Sequence, residues 1–175
     1  VIFTFVPSPS LDDCSYDCSL VDSVVCDLIR SPNLEGKKFI VGCTTNPGFV
    51  DKVDEKLEGR GISVFYSPEF VAQGTIIRDM KNADMILCGG RDDDGFEKIK
   101  AIYLSFMDSQ VNFYPMSNTA AEITKIGINC FLTYKISYAN MMGQILYKSG
   151  CGDEIKNILA SIGADSRIGS KYLNY

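Results

Sequence analysis

Five short runs rich in β-branched and aromatic residues recur along the chain, at residues 1–6, 38–42, 63–66, 85–88 and 111–114. Their hydrophobicity is nearly continuous rather than alternating, which predicts strands covered on both faces. Between them apolar residues return at helical spacing. Leu20, Val21, Val24, Val25, Leu28 and Ile29 form one stripe. Phe49, Val50, Val53 and Leu57 form a second, and Phe96, Ile99, Ile102, Tyr103 and Phe106 a third. Strands alternating with helices predict an α/β fold with a mainly parallel, doubly wound sheet. After Tyr114 the pattern becomes all-helical. No proline follows Pro115, so one long helix is allowed over 117–149. Shorter helical pieces are expected at 153–162 and near 166–173. A domain boundary follows at 116/117.

The long helix carries an unusual pattern. On a helical wheel Glu122, Lys125, Asn129, Ile136, Asn140 and Gly143 share one strip. Ile123, Ile126, Phe131, Tyr134, Tyr138, Met141 and Ile145 cover much of the remaining circumference. A helix apolar nearly all round is expected to be buried. Its polar strip then faces a partner, a ligand or a wet crevice, because an unpaired buried charge is costly. Two readings are open. The strip is either an internal Glu122–Lys125 ion pair with a structural asparagine, or a functional surface. The apolar circumference also offers a dimer contact.

Composition narrows the choice by exclusion. The net charge of −5 argues against nucleic acid or an anionic membrane as partner. No apolar run approaches membrane-spanning length. The seven cysteines are scattered, no CxxC occurs, and there is no histidine. Zinc sites, serine triads and histidine catalysis are therefore not expected, and no metal is predicted. Free cysteines suit a reducing cytoplasm. The chain opens inside an apolar run with no starting methionine, so it reads as a fragment.

The strand ends carry the candidate chemistry. They read Val6-Pro7-Ser8-Pro9-Ser10, Cys43-Thr44-Thr45-Asn46-Pro47-Gly48, Tyr66-Ser67-Pro68-Glu69-Phe70 and Cys88-Gly89-Gly90. Each alone suits a turn. Together they suit the ligand edge of a doubly wound sheet. Neither GxGxxG nor a Walker A sequence is present. The acidic loop from Arg91 to Gly95 reads as a solvated turn and helix cap. Lys125 and Asn129 lie one turn apart and suit a developing oxyanion. Glu69 offers a carboxylate for acid–base work, and Thr44 a hydroxyl. That set fits carbonyl or hydroxyl redox chemistry, or water activation at an acyl carbon, without an obvious nucleophile.

These residues carry a resemblance. The run from Tyr66 to Asp79, with Glu122-Ile123-Thr124-Lys125 and Asn129, resembles the nucleotide-sugar 6-dehydrogenases, above all the UDP-glucose type. The segments at residues 6–10, 43–49 and 166–173 follow in the family's order. The resemblance implies NAD as cofactor and a two-step oxidation of UDP-glucose to UDP-glucuronate through a cysteine-bound intermediate. Residues 1–116 would be the C-terminal part of a Rossmann-like NAD domain, and 117–175 a helical central domain. Lys125 would stabilise the oxyanion, Asn129 would contact substrate and position water, and Glu69 would assist hydrolysis. Thr44 would serve the water network and the cofactor side. Val6, Pro7, Ser8, Pro9, Ser10, Cys43 and Gln73 would line the NAD site. Glu69, Phe70, Val71, Ala72 and Gln73 would hold the sugar and diphosphate. Arg167 would reach a neighbouring subunit's substrate, and helix 117–149 would build a homodimer. Gln73 stands where many members carry a second glutamate. The family's nucleophilic cysteine falls past Tyr175, so the chain alone is expected to be inactive. Two other readings are a 6-phosphogluconate or β-hydroxyacid type dehydrogenase, and a non-catalytic binding or dimerisation module.

Overall fold

Strands β1 (Ile2–Thr4), β2 (Lys38–Val41), β3 (Ser63–Tyr66), β4 (Met85–Gly89) and β5 (Asn112–Met116) form one sheet in that order in a computed structural model of the protein. The structure describes residues 1–71, 74–108 and 111–173. β1, β2 and β3 pair in parallel, as do β4 and β5. The one exception joins β3 to β4, which meet antiparallel through Tyr66 and Gly89 alone. The sheet is therefore mainly parallel, as the strand pattern predicts.

Both faces of the sheet are covered, which explains the unbroken hydrophobicity of β2 and β3. Phe39, Val41, Val64 and Tyr66 turn to one face. There they meet Val21, Val25 and Leu28 of α1 (Ser19–Arg30) and Val50 and Val53 of α2 (Phe49–Lys56). Ile40, Phe65 and Cys88 turn to the other face, against Ile99 of α4 (Asp93–Leu104). The three helical stripes read from the sequence are α1, α2 and α4. A further short helix, α3 (Ile76–Lys81), has no buried residue and so left no apolar stripe to find. Asp92 at the start of α4 is held by Lys38, whose hydrogen bond keeps the Asp92 carboxyl below its ordinary range.

α5 (Asn118–Lys148) is one continuous helix of 31 residues. By internal packing the chain divides within it into two compact units, Val1–Lys125 and Ile126–Tyr175. In the first unit the start of α5 lies against the end of β4. A side chain on Gly89 would come within 2.7 Å of the Asn118 Cα, so only glycine allows that approach. In the second unit Ala139 and Leu146 of α5 are buried, as are Leu159 and Leu173. A short 3₁₀ turn (Gly152–Glu154) leads into α6 (Ile155–Ala164).

Two expectations need correction. α5 is not buried around its circumference: Ile123, Phe131, Tyr134, Met141 and Ile145 are all at least 48% exposed. A single helix packed along one stripe leaves the opposite stripe to solvent, and here that stripe is apolar. Residues 166–173 form turns, not a helix. The Ile168 and Gly169 N–H groups both donate to the Asp165 carbonyl, and Gly169 adopts a left-handed φ of 73°. Lys135 closes this turn by donating to the carbonyls of Ile168 (3.2 Å) and Gly169 (3.1 Å).

Candidate functional site

Lys125 is the centre of the site in the first unit. It lies on α5, is 92% shielded from solvent, and its ammonium donates to the Glu69 carbonyl at 2.6 Å. The same nitrogen stands 4.3 Å from the centroid of the Phe70 ring. A carbonyl dipole and an aromatic face thus hold the charge in place of water. Burial pushes the Lys125 pKa below its ordinary value, opposed in part by the Glu69 charge.

The loop after β3 supplies those partners because its backbone is pinned to the neighbouring strand. The Ser67 N–H donates to the Val41 carbonyl (2.9 Å) and the Glu69 N–H to the Gly42 carbonyl (3.3 Å). Pro68 is buried, Phe70 and Val71 are half-buried, and the Glu69 side chain is exposed. Lys125 is therefore bonded to Glu69 through the main chain, leaving the carboxylate at the surface beside it. Ala72 and Gln73, expected to hold substrate and in the latter case cofactor, lie outside the described residues.

The ends of β1 and β2 lie side by side, with the Gly42 N–H donating to the Thr4 carbonyl at 2.9 Å. Beyond them Val6 packs against the core and its N–H faces the Cys43 thiol. Pro7, Pro9 and Ser10 are exposed, and Ser8 and Thr44 are half-buried. The expected cofactor-lining residues 6–10, 43 and 44 thus share one carboxyl edge of parallel strands. Small hydroxyl residues and prolines gather at that edge, which is where doubly wound sheets bind their ligands. Burial pushes the Cys43 thiol up, and likewise Cys18, so neither is an activated thiolate.

Three features of the site were not legible in the sequence. Glu122 does not pair with Lys125. Its carboxylate instead accepts hydrogen bonds from the Thr45 hydroxyl (2.8 Å), the Val50 N–H (3.0 Å) and the Gly48 N–H (2.6 Å). Gly48 reaches it from a left-handed φ of 81°, which suits glycine. Desolvation raises the Glu122 pKa, while those three hydrogen bonds hold it down. The Asn46 side chain clamps Tyr16 through both of its main-chain groups, accepting from the N–H (2.8 Å) and donating to the carbonyl (2.7 Å). The third feature is the Phe70 ring over Lys125. An asparagine preceding a proline at a strand end was the only local hint of any of the three.

In the second unit Asn129 is half-buried on α5, four residues beyond Lys125 in sequence. Its carbonyl accepts from the Thr133 hydroxyl at 3.0 Å. Arg167 is exposed and ion-paired to Asp165 at 2.6 Å. That hydrogen-bonded pairing lowers the Asp165 pKa and raises that of Arg167. Among the described residues no group of side chains is arranged to hold a metal ion.

Residues 1–107 match the model of the UDP-glucose/GDP-mannose dehydrogenase family, NAD binding domain, and residues 119–175 match that family's central domain. The chain is 29% identical over 175 residues to a UDP-glucose 6-dehydrogenase of Rickettsia bellii, covering 99% of this chain and 40% of the relative. It is 28% identical over 155 residues to UDP-glucose 6-dehydrogenase 1 of soybean (Glycine max), covering 86% of this chain and 32% of the relative. The chain thus spans 32% to 40% of the length of these curated relatives. Among solved structures, a UDP-glucose dehydrogenase from Pyrobaculum islandicum superposes with a TM-score of 0.86 at 27% identity, over 98% of this chain and 40% of that one. A GDP-mannose dehydrogenase from Pseudomonas aeruginosa has the same fold, with a TM-score of 0.80 at 24% identity over 91% of this chain and 38% of that one.

Proposed function

The chain belongs to the UDP-glucose/GDP-mannose dehydrogenase family, and from that premise we propose that it forms part of an enzyme oxidising UDP-glucose to UDP-glucuronate with NAD. The observation that carries the reading is the Lys125 ammonium, desolvated and held between the Glu69 carbonyl and the Phe70 ring. A fixed, dry cation is suited to an oxyanion forming at a carbonyl carbon. The names of the curated relatives favour UDP-glucose over GDP-mannose as substrate.

The residues divide the work. NAD supplies the hydride acceptor when bound, and Val6, Pro7, Ser8, Pro9, Ser10 and Cys43 would hold it at the strand-end edge. Lys125 stabilises negative charge on the sugar C6 oxygen. Asn129, from the next turn of α5, contacts substrate and orients water. The exposed Glu69 carboxylate is free to accept a proton from that water, and Thr44 supports the same water from the β2 end. The main chain from Glu69 through Val71, continuing into Ala72 and Gln73, holds the sugar and diphosphate. Arg167 contributes to a neighbouring subunit's site. Neither Cys18 nor Cys43, the cysteines beside the strand-end edge, suits the attacking thiol, because both are buried and poorly ionised.

The apolar stripe of α5 around Phe131 and Tyr134 fits a homodimer built along this helix. The seven free cysteines fit a reducing cytoplasm as the compartment of this reading. No helix among the described residues is long and apolar enough to cross a membrane. NADH formation by the whole protein with UDP-glucose, GDP-mannose and UDP-N-acetylmannosamine tests the proposal. Turnover with UDP-glucose, lowered by about 10²–10³-fold in Lys125→Ala, is the expected result. Normal turnover in that variant, or no NADH from any of the three sugars, overturns it.

A further inference from the structure

One fully buried ionisable group in the first unit takes no part in the chemistry above. Glu122 stands three residues before Lys125 on α5, and its carboxylate is filled by three donors, Thr45 and Gly48 from the segment between β2 and α2 and Val50 from the first turn of α2. We infer that Glu122 is a positioning residue, locking the segment that carries Thr44 to the turn of α5 that carries Lys125. This rests on the function proposed above.

The bonding pattern favours that role over simple capping of α2. Capping needs only the Gly48 and Val50 amides. The third bond goes to Thr45, the residue after Thr44, and Thr45 is completely buried. The phenol of Tyr66 lies beside Thr45 and is also fully buried, with no hydrogen bond of full geometry among the described residues. Tyr66 ends β3 and leads into Ser67, Pro68, Glu69 and Phe70. One carboxylate therefore ties α5 to the β2 loop, and the same cluster abuts the strand that delivers the partners of Lys125. A carboxylate is required because every contact is a donor aimed at oxygen. A glutamine in either orientation turns its NH₂ toward the Gly48 or the Val50 N–H.

The experiment uses the whole protein and two variants. Glu122→Gln breaks the cap at Gly48 or at Val50, and weakens the hold on Thr45 as well when its NH₂ takes the place of the oxygen shared by Thr45 and Val50. Thr45→Val removes only the Thr45 bond and leaves both amides capped. Amide hydrogen exchange at Gly48 and Val50 reports the cap, and steady-state NADH formation reports positioning. Glu122→Gln is expected to speed exchange at Gly48 or at Val50 and to lower kcat by about 100-fold, with KM for UDP-glucose changed by no more than about threefold. Thr45→Val is expected to lower kcat by about tenfold with exchange at Gly48 and Val50 unchanged. Full kcat in both variants overturns the positioning role and leaves Glu122 as a helix cap. A kcat loss in Glu122→Gln alone, with Thr45→Val fully active, overturns it as well. A wild-type protein that makes no NADH from any nucleotide sugar sinks the proposed function, and the positioning role with it.

Discussion

The first turns of α5 and its later turns follow opposite rules. From Asn118 to Lys125 the helix buries polar groups: Asn118, Glu122 and Lys125 are at most 8% exposed. Each is tied to another element of its unit. Asn118 and Thr119 donate to the Asp51 carboxylate, Glu122 accepts from the β2 loop, and Lys125 donates to Glu69. Farther along the helix the polarity is reversed. Phe131 and Tyr134 are 62% and 65% exposed, whereas the buried positions are Ala139, Gly143 and Leu146. Buried polar groups are expensive unless every partner is supplied, and exposed apolar ones are unfavourable unless something covers them. The first region thus meets its requirement within the unit, save at the Asn118 side-chain oxygen, which has no partner among the described residues, and the second leaves an apolar surface uncovered.

Breaking the polar end should have the largest effect. Lys125→Ala in the whole protein is expected to lower kcat by about 10²–10³-fold, read as NADH formation, because no other donor replaces the ammonium. At the apolar end Phe131→Asp should leave kcat per folded dimer intact but weaken self-association by about 30-fold or more, measured by sedimentation across a concentration series. An unchanged sedimentation profile would remove the dimer reading of this stripe.

Within the second unit the packed and exposed stripes can be compared one residue apart. Leu146→Ala should lower unfolding stability by about 2–4 kcal/mol in chemical denaturation. Tyr147→Ala, at 82% exposure, should stay within about 0.5 kcal/mol of the parent. Equal losses would contradict the assignment of the packed side.

The smallest effect is a pH dependence at Lys125. Its folded pKa is depressed by burial below the ordinary 10.5. The unfolded chain therefore binds the proton more readily than the fold does. Folding is penalised while pH lies below the depressed value, and the penalty fades as pH rises from there toward 10.5. Lys125→Met is expected to be more stable than the parent near neutral pH, with the gap narrowing in alkaline buffer. A gap that is constant with pH would mean that the ammonium is not desolvated.

The strands, the three helical stripes and the long helix were legible because continuous and 3.6-residue hydrophobic patterns report burial directly. Helix α3 escaped because none of its residues is buried, and residues 166–173 misled because a turn held by Asp165 and Gly169 leaves no periodic signal. At the site, the residue types Lys125, Glu69 and Thr44 were readable from the strand-end and helix motifs. Which atom meets which was not. Glu122 and Lys125 sit at a spacing that permits an ion pair, yet each turned to a different loop.

Sequence alone determined the α/β pattern, the long helix and the family to which the motifs point, because these depend on local periodicity and on residue types in order. Tertiary structure decided that the Glu69 main chain, rather than its side chain, bonds Lys125, that Phe70 faces the same cation, and that Glu122 receives the β2 loop. Those choices join residues 55 to 77 positions apart. They are set by which loop amides and carbonyls are left without partners once the strands pair, a condition that exists only after the sheet has formed.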